Sequence, residues 1–279
     1  MSNTVTISDE QLEIQLLLEA IFRKYGYDFR NYAFAHTKRR LEHRRAHEGL
    51  RSFSEMQHRV IRDEPFFNKV LLDLSINVTE MFRDPWFYQR VRDTVVPHLK
   101  TYPFIKVWHA GCSSGQEVYS MGILLEEEGV KDRVQIYATD FNERILEKAK
   151  LGIYPMDLVR EYTANYQQSG GTRSFSDYYA ADYDNVVMKS FLKDKMLFSP
   201  HNLVTDGVFG EMNIIFCRNV LIYFNRELQN RVLQLFCDSL CPGGFLCLGS
   251  KESLRFSDVA DQFEVVSERE KIYRKKRIF

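Results

Sequence analysis

Cysteine is sparse and poorly placed for chemistry, with five in 279 residues and no Cys-x-x-Cys pair. That excludes a zinc ribbon or a dithiol redox motif, and scattered reduced thiols suit packing rather than catalysis. Cys237 and Cys241 fall on an expected helix, while Cys112, Cys217 and Cys247 lie in or beside expected strands. Net charge is absent too, with 38 basic and 38 acidic residues, so charge argues neither for nor against a nucleic-acid partner. No apolar run approaches the roughly 20 residues that a membrane-spanning helix needs. Residues 1–10 lack a basic start ahead of an apolar core, so no secretory signal is visible and a cytoplasmic protein is expected.

What the chain does have is a short apolar strand from Val107 running into a turn bracketed by Gly111 and Gly115, then a helix. Glycine there permits a tight turn and close approach of a ligand to the backbone. Twenty-five residues after Gly115, a second strand ends in Asp140. A glycine turn after one strand and an acid ending the next suit a nucleoside, with the acid on the ribose hydroxyls. A dinucleotide would ask for a third glycine and a neutral or basic helix start. Here Glu117 stands in the first helical turn. Its charge suits a cationic or zwitterionic ligand, and S-adenosylmethionine, with its sulfonium and ammonium, fits better than NAD.

Downstream, residues 213–224 form an apolar run interrupted by Arg218 and Asn219. A helix is expected over roughly 226–240, with Leu228, Val232, Leu235, Phe236 and Leu240 near helical spacing. Pro242, Gly243 and Gly244 mark a turn into another buried strand, and 263–266 with 271–273 read as a closing hairpin. These elements compose an α/β class fold, a parallel sheet finished by an antiparallel hairpin, as is usual in S-adenosylmethionine-dependent methyltransferases.

The segments 76–84, 108–120, 138–140, 201–203 and 216–224 make the likeness specific. Over about residues 10–275 the chain resembles the CheR-type chemotaxis receptor methyltransferases, which esterify glutamate side chains of bacterial chemoreceptors. The resemblance implies a Rossmann-like methyltransferase sheet over 76–279 with a small β-subdomain inserted at about 153–199. An all-α substrate-recognition domain over 1–75 would precede it. Residue by residue, it implies that Asn77, Thr79 and Arg83 close over the methionyl end of the cofactor. Gly111 belongs to the cofactor turn, Glu117 would hold the ammonium and Asp140 the ribose. Asn202 and Leu203 would line the adenine, and Asn219 and Val220 would lie beneath the cofactor. Arg83 and Tyr223 are the candidates for the transfer step. Whether Arg83 meets the cofactor's carboxylate or the incoming glutamate is open in the sequence. His109 and His201 are expected to pack beside these residues or to support them from behind.

The first 75 residues read as helices over 8–25, 32–48, 54–62 and 66–74, with Ser8 as an N-cap. Lys38, Arg39, Arg40, Arg44, Arg45, Arg51, Arg59 and Arg62, interspersed with His36, His43, His47 and His58, suit either a solvated surface or a docking face for glutamate-rich receptor helices. Some family members also grip a receptor C-terminal pentapeptide on the inserted sheet and share a Gly-x-Gly turn. This chain has Ser169-Gly-Gly-Thr172, so a pentapeptide-independent enzyme is expected, and a monomer. Two other readings stand beside this one: a catalytically silent cofactor-binding adaptor, and a methyltransferase of a non-chemoreceptor signalling protein, of RNA or of small molecules. Base methylation is disfavoured because 218–221 lack the Pro-Pro of amino-group methyltransferases, and no zinc or helix-turn-helix motif accompanies the basic region.

Overall fold

The computed structural model describes residues 7–75 and 79–277. They divide into two compact units, one of residues 7–75 with 222–229, the other of 79–221 with 230–277. In the first, α1 (Asp9–Tyr25) opens on Ser8, whose hydroxyl accepts from the Gln11 amide, and ends at left-handed Gly26. Its Ile14, Leu17, Leu18 and Ile21 are buried, and it packs on α3 (Phe53–Arg62), which follows α2 (Phe34–His47). The fourth helix, α4 (Glu64–Leu74), begins two residues earlier than the spacing predicts. Pro65 sits in its first turn, where the missing N–H would have had no partner in any case, and Asp63 caps it.

The basic residues of this unit are largely paired within it. Arg44 binds Asp73 and Glu48, Arg59 binds Glu48 and Asp63, Lys38 meets Glu10, and Arg40 donates to the Asp73 carbonyl. The exposed side of α2 carries Arg39, His43 and His47. Residues 223–225 cluster here as well: Ala33 N–H donates to the Tyr223 carbonyl, Asn225 N–H to the Asn31 carbonyl, and Tyr32 bridges Phe224.

The second unit starts with α5 (Pro85–Arg90), one π-helical turn over Val91–Val95 and α6 (Val96–Leu99). Then come β1 (Ile105–Ala110), α7 (Gln116–Glu127), β2 (Val134–Asp140) and α8 (Glu143–Leu151). An insert follows, made of β3 (Ile153–Pro155), α9 (Val159–Gln168), β4 (Tyr179–Asp182), β5 (Asn185–Met188) and α10 (Ser190–Lys193). The chain finishes with β6 (Met196–Pro200), β7 (Met212–Cys217), α11 (Arg226–Ser239), β8 (Leu240–Leu248), β9 (Phe263–Ser267) and β10 (Ile272–Lys275).

Seven strands form one sheet in the order β6-β2-β1-β7-β8-β10-β9. The first five are parallel, and β10 runs antiparallel to both β8 and β9. The expected sheet and closing hairpin are therefore present. Parallel strands covered on both faces must be apolar throughout, and β1 and β7 are buried over nearly their whole length. From β1 the chain moves outward to β2 and β6, then crosses back to β7 on the other side. Ligands of open α/β sheets bind at the carboxyl ends of the strands beside such a reversal.

Three sequence expectations need correction. The insert ends before 199, because β6 pairs in parallel with β2 in the large sheet. The apolar run 213–224 is no single strand: β7 stops at Cys217, Asn219 turns left-handed at φ +62°, and Leu221–Tyr223 form a 3-10 turn. Cys241 lies in β8 rather than on α11, where Pro242 would have prevented further helix.

The insert holds a small antiparallel sheet in the order β3-β5-β4. Its β4–β5 turn is Tyr183-Asp184, and the Ser169-Gly-Gly-Thr172 stretch instead follows α9. A buried carboxylate ties this insert to α7. Glu127 accepts from Tyr178 (2.9 Å), from the Thr172 amide (3.1 Å) and from Tyr166, and pairs with Arg92 at 2.5 Å. Burial opposes its ionisation, but the two tyrosines and Arg92 hold its carboxyl below the ordinary range.

Candidate functional site

The turn after β1 is shaped by its backbone. Gly111 and Gly115 have φ of +77° and +89°, and Ser113 between them is also left-handed at +51°. A Cβ on Gly111 would lie 2.7 Å from a Val220 methyl, so the turn and the segment after β7 touch where only glycine fits. The Gly111 and Cys112 amides both donate to the Thr139 carbonyl at 2.8 Å, which stitches the turn to the end of β2.

Asp140 closes β2 with its carboxylate buried. One oxygen accepts from the Ser113 amide and the other from the Asn142 amide, each at 3.0 Å. Burial pushes its carboxyl above the ordinary value, and the amides oppose that without reversing it. The Phe141 amide also bonds this carboxylate, and of its roughly four acceptor positions about one is left for a ribose hydroxyl.

Glu117 lies in the first turn of α7 and is bound on both oxygens. His109 on β1 donates from Nδ1 at 3.0 Å, and Arg218 donates from Nη1 at 3.1 Å. An ionised carboxylate accepts only, so the His109 proton sits on Nδ1. The ring stacks on Phe216 with centroids 4.7 Å apart, and its buried Nε2 has no partner among the described residues. Burial opposes the charge on Glu117, but the His109 hydrogen bond and the Arg218 charge outweigh it, and its carboxyl titrates below the usual value.

Arg218 emerges just after β7 with its side chain 2% exposed. Besides Glu117 it binds Asp84 at 2.7 Å, reaches the Arg83 carbonyl at 3.4 Å, and lies 4.0 Å from the centre of the Phe87 ring. Its Nε has no partner among the described residues. Asn219 N–H donates to Glu252 at 3.0 Å, and the Gly249 amide donates to the same oxygen at 2.5 Å. A Cβ on Gly249 would meet both Asn219 and Glu252.

The second unit thus brings Gly111, Glu117, Asp140, Asn219 and Val220 to the carboxyl edge of β1, β2 and β7. Arg83 joins them through its carbonyl, and Thr79 leads into its turn, half-buried and outside helix and strand. Asn77 lies outside the described residues. The loop after β6 holds Asn202 and Leu203. Asn202 Oδ1 accepts from the Val204 amide, Leu203 is buried, and the His201 amide donates to the Asp140 carbonyl at 3.2 Å. His201 itself packs edge-on against Trp108 and near Phe209, as a packing residue would. Tyr223 belongs by its contacts to the first unit, its ring edge-on to His36 at 5.9 Å.

Sequence reasoning missed Arg218, Asp84 and Glu252 as members of this arrangement. Only Arg218 left a signal, a cation inside an apolar run. For His109 it foresaw packing or a supporting role, and the ring stacks on Phe216 while its Nδ1 orients Glu117. No His, Cys, Asp and Glu cluster among the described residues could hold a metal ion, and all five cysteines are buried free thiols.

The donor set fits a sulfonium nucleoside. A carboxylate in the first turn of α7 and another at the end of β2 would repel a pyrophosphate but suit an ammonium and a ribose. Comparison with known proteins agrees. A sequence description of the CheR methyltransferase, SAM binding domain, matches residues 77–272, and one of the CheR methyltransferase all-alpha domain matches 12–75. The Cher3 protein of Pseudomonas putida is 53% identical over 95% of this chain and 97% of its own length. A chemotaxis protein methyltransferase of Vibrio parahaemolyticus is 35% identical over 69% of this chain and 70% of that one. Chemotaxis protein methyltransferase 1 of Pseudomonas aeruginosa is 29% identical over 78% and 81%. The chain belongs to the CheR methyltransferase family and uses S-adenosylmethionine as its cofactor.

Proposed function

We propose that this methyltransferase esterifies glutamate side chains of chemoreceptor cytoplasmic helices, as part of chemotactic adaptation. The observation that carries the reading is the acidic Glu117 beside the turn after β1, bound by His109 and Arg218 and facing a site that must accept a cationic methyl donor. Relatives named chemotaxis protein methyltransferase support a role in chemotaxis.

In this reading Asp140 receives a ribose hydroxyl and Glu117 the methionine ammonium. Asn202 and Leu203 offer a polar edge and an apolar face to the adenine. Gly111, Asn219 and Val220 form the floor, and Asn77, Thr79 and Arg83 close over the methionyl end. The cofactor supplies an activated methyl group on sulfur. A glutamate carboxylate is already ionised at neutral pH and already nucleophilic, so no general base is required. The protein's task is in-line placement and exclusion of water, which together lower a barrier by several kcal/mol. Arg83 would orient one carboxylate through its fork.

Glutamate-rich receptor helices would dock on the exposed side of α2, on Arg39, His43 and His47. The small sheet has a glycine-free β4–β5 turn, which supports the pentapeptide-independent form of the enzyme. Mapping methyl esters by mass spectrometry on a receptor cytoplasmic fragment tests the acceptor: esters on glutamates support it, and methyl groups on nitrogen or on another class of molecule refute it.

A further inference from the structure

We propose that Arg218 is a positioning residue that couples the cofactor side of the site to the Arg83 turn, setting Glu117 and Arg83 in one rigid unit. The inference rests on the cofactor and transfer roles given above for Glu117 and Arg83.

Its basis is the geometry of one guanidinium. Nη1 binds Glu117 Oε2 at 3.1 Å, Nη2 binds Asp84 Oδ2 at 2.7 Å, and both nitrogens lie 3.4 Å from the Arg83 carbonyl oxygen between them. The planar fork therefore spans two carboxylates from distant parts of the chain, which a lysine ammonium could not do in one plane. The Phe87 ring beneath it, 4.0 Å away, fixes its tilt.

The turn it grips needs holding. Phe82 and Asp84 both have left-handed backbones, at φ +53° and +57°, which non-glycine residues adopt only under constraint. Phe82 is pinned on one side, where its amide donates to Ser120 of α7 at 2.8 Å and its ring packs on Tyr88 and Tyr166. On the other side Arg218 anchors the turn, through Asp84 and the Arg83 carbonyl. The same side chain orients Glu117, so a shift of Arg218 moves the ammonium site and the Arg83 backbone together.

Two measurements on the full-length protein test this. The first is a double-mutant cycle on the dissociation constant for S-adenosylhomocysteine, measured by calorimetry. Arg218→Lys should weaken binding about tenfold in the parent protein but less than about twofold in the Glu117→Gln background. Effects that simply multiply would overturn the proposal. The second uses Asp84→Asn, a half-exposed position where asparagine tolerates the left-handed backbone. Its affinity for S-adenosylhomocysteine should fall about threefold or more and its kcat for methyl transfer about tenfold. An unchanged kcat, or a loss of kcat with affinity unchanged, would contradict the coupling. Should Arg218→Lys fail to fold, the Asp84 variant decides alone. The cycle needs no methyl acceptor, so a protein that binds the product yet methylates no receptor would refute the proposed acceptor while the cycle still decides the role of Arg218.

Discussion

Glu117 and Arg218 form an ion pair 3.1 Å apart across 101 residues of sequence, and the arginine side chain is almost wholly withdrawn from solvent. Such a pair is stable only as a pair, since removing one partner leaves a buried charge uncompensated. Its consequences can be measured in several ways.

The first is pH dependence. The Glu117 carboxyl is held below its ordinary value of 4.5, so the pair contributes fully above pH 4.5 and loses its contribution as pH falls through the folded value. Asp140 works in the opposite sense, because burial raises its carboxyl and favours the protonated folded form. The comparison that isolates Glu117 is the stability of wild type minus that of Glu117→Gln. That gap should be constant at about 1.5–3 kcal/mol above pH 4.5 and shrink below it. Denaturant melts across the acid range measure it, and a gap that grows on acidification would refute the assignment.

Gly111→Ala should damage both fold and cofactor binding. The new Cβ would stand 2.7 Å from Val220 in a left-handed backbone. Over-packing of this kind costs about 1–3 kcal/mol. Thermal melts and calorimetric titration with S-adenosylhomocysteine should both register the change. Gly129, left-handed as well but with nothing within 4 Å of its would-be Cβ, serves as the control: its alanine variant should lose stability without losing cofactor affinity.

Glu127→Ala should destabilise the second unit by about 3–5 kcal/mol, leaving Arg92 with Glu128 alone and the Tyr166 and Tyr178 hydroxyls without their acceptor. Glu127→Gln should cost less, because its amide oxygen can still accept from one of the two tyrosines. Urea denaturation of the two variants gives the ranking, and equal losses would show that the retained amide acceptor contributes nothing.

Much of this site was readable because its determinants are local. The turn at Gly111 and Gly115 announces itself through two glycines between a strand and a helix, and Asp140 through its place at a strand end. The sheet followed from apolar runs of strand length. Arg218 could be noticed but not interpreted, since its partner Asp84 lies 134 residues away and no spacing links them. Strand β6 was absorbed into the insert because only Phe198 along it is buried, so it lacks a core strand's continuous apolar signature. The start of α4 was displaced by Pro65, which punctuates a sequence but is tolerated in a first helical turn. The basic residues near α2 suggested a broad docking face, and only the folded unit reveals how many are paired with Asp73, Glu48 and Glu10.

The central claim is carboxylate methylation of a receptor. The protein should be incubated with methyl-labelled S-adenosylmethionine and membranes or receptor fragments from its own host, and the labelled bands treated with mild alkali. Release of the label as methanol from a receptor-sized band is the predicted result. Label that survives alkali, or cofactor binding with no label on any protein, would contradict the claim.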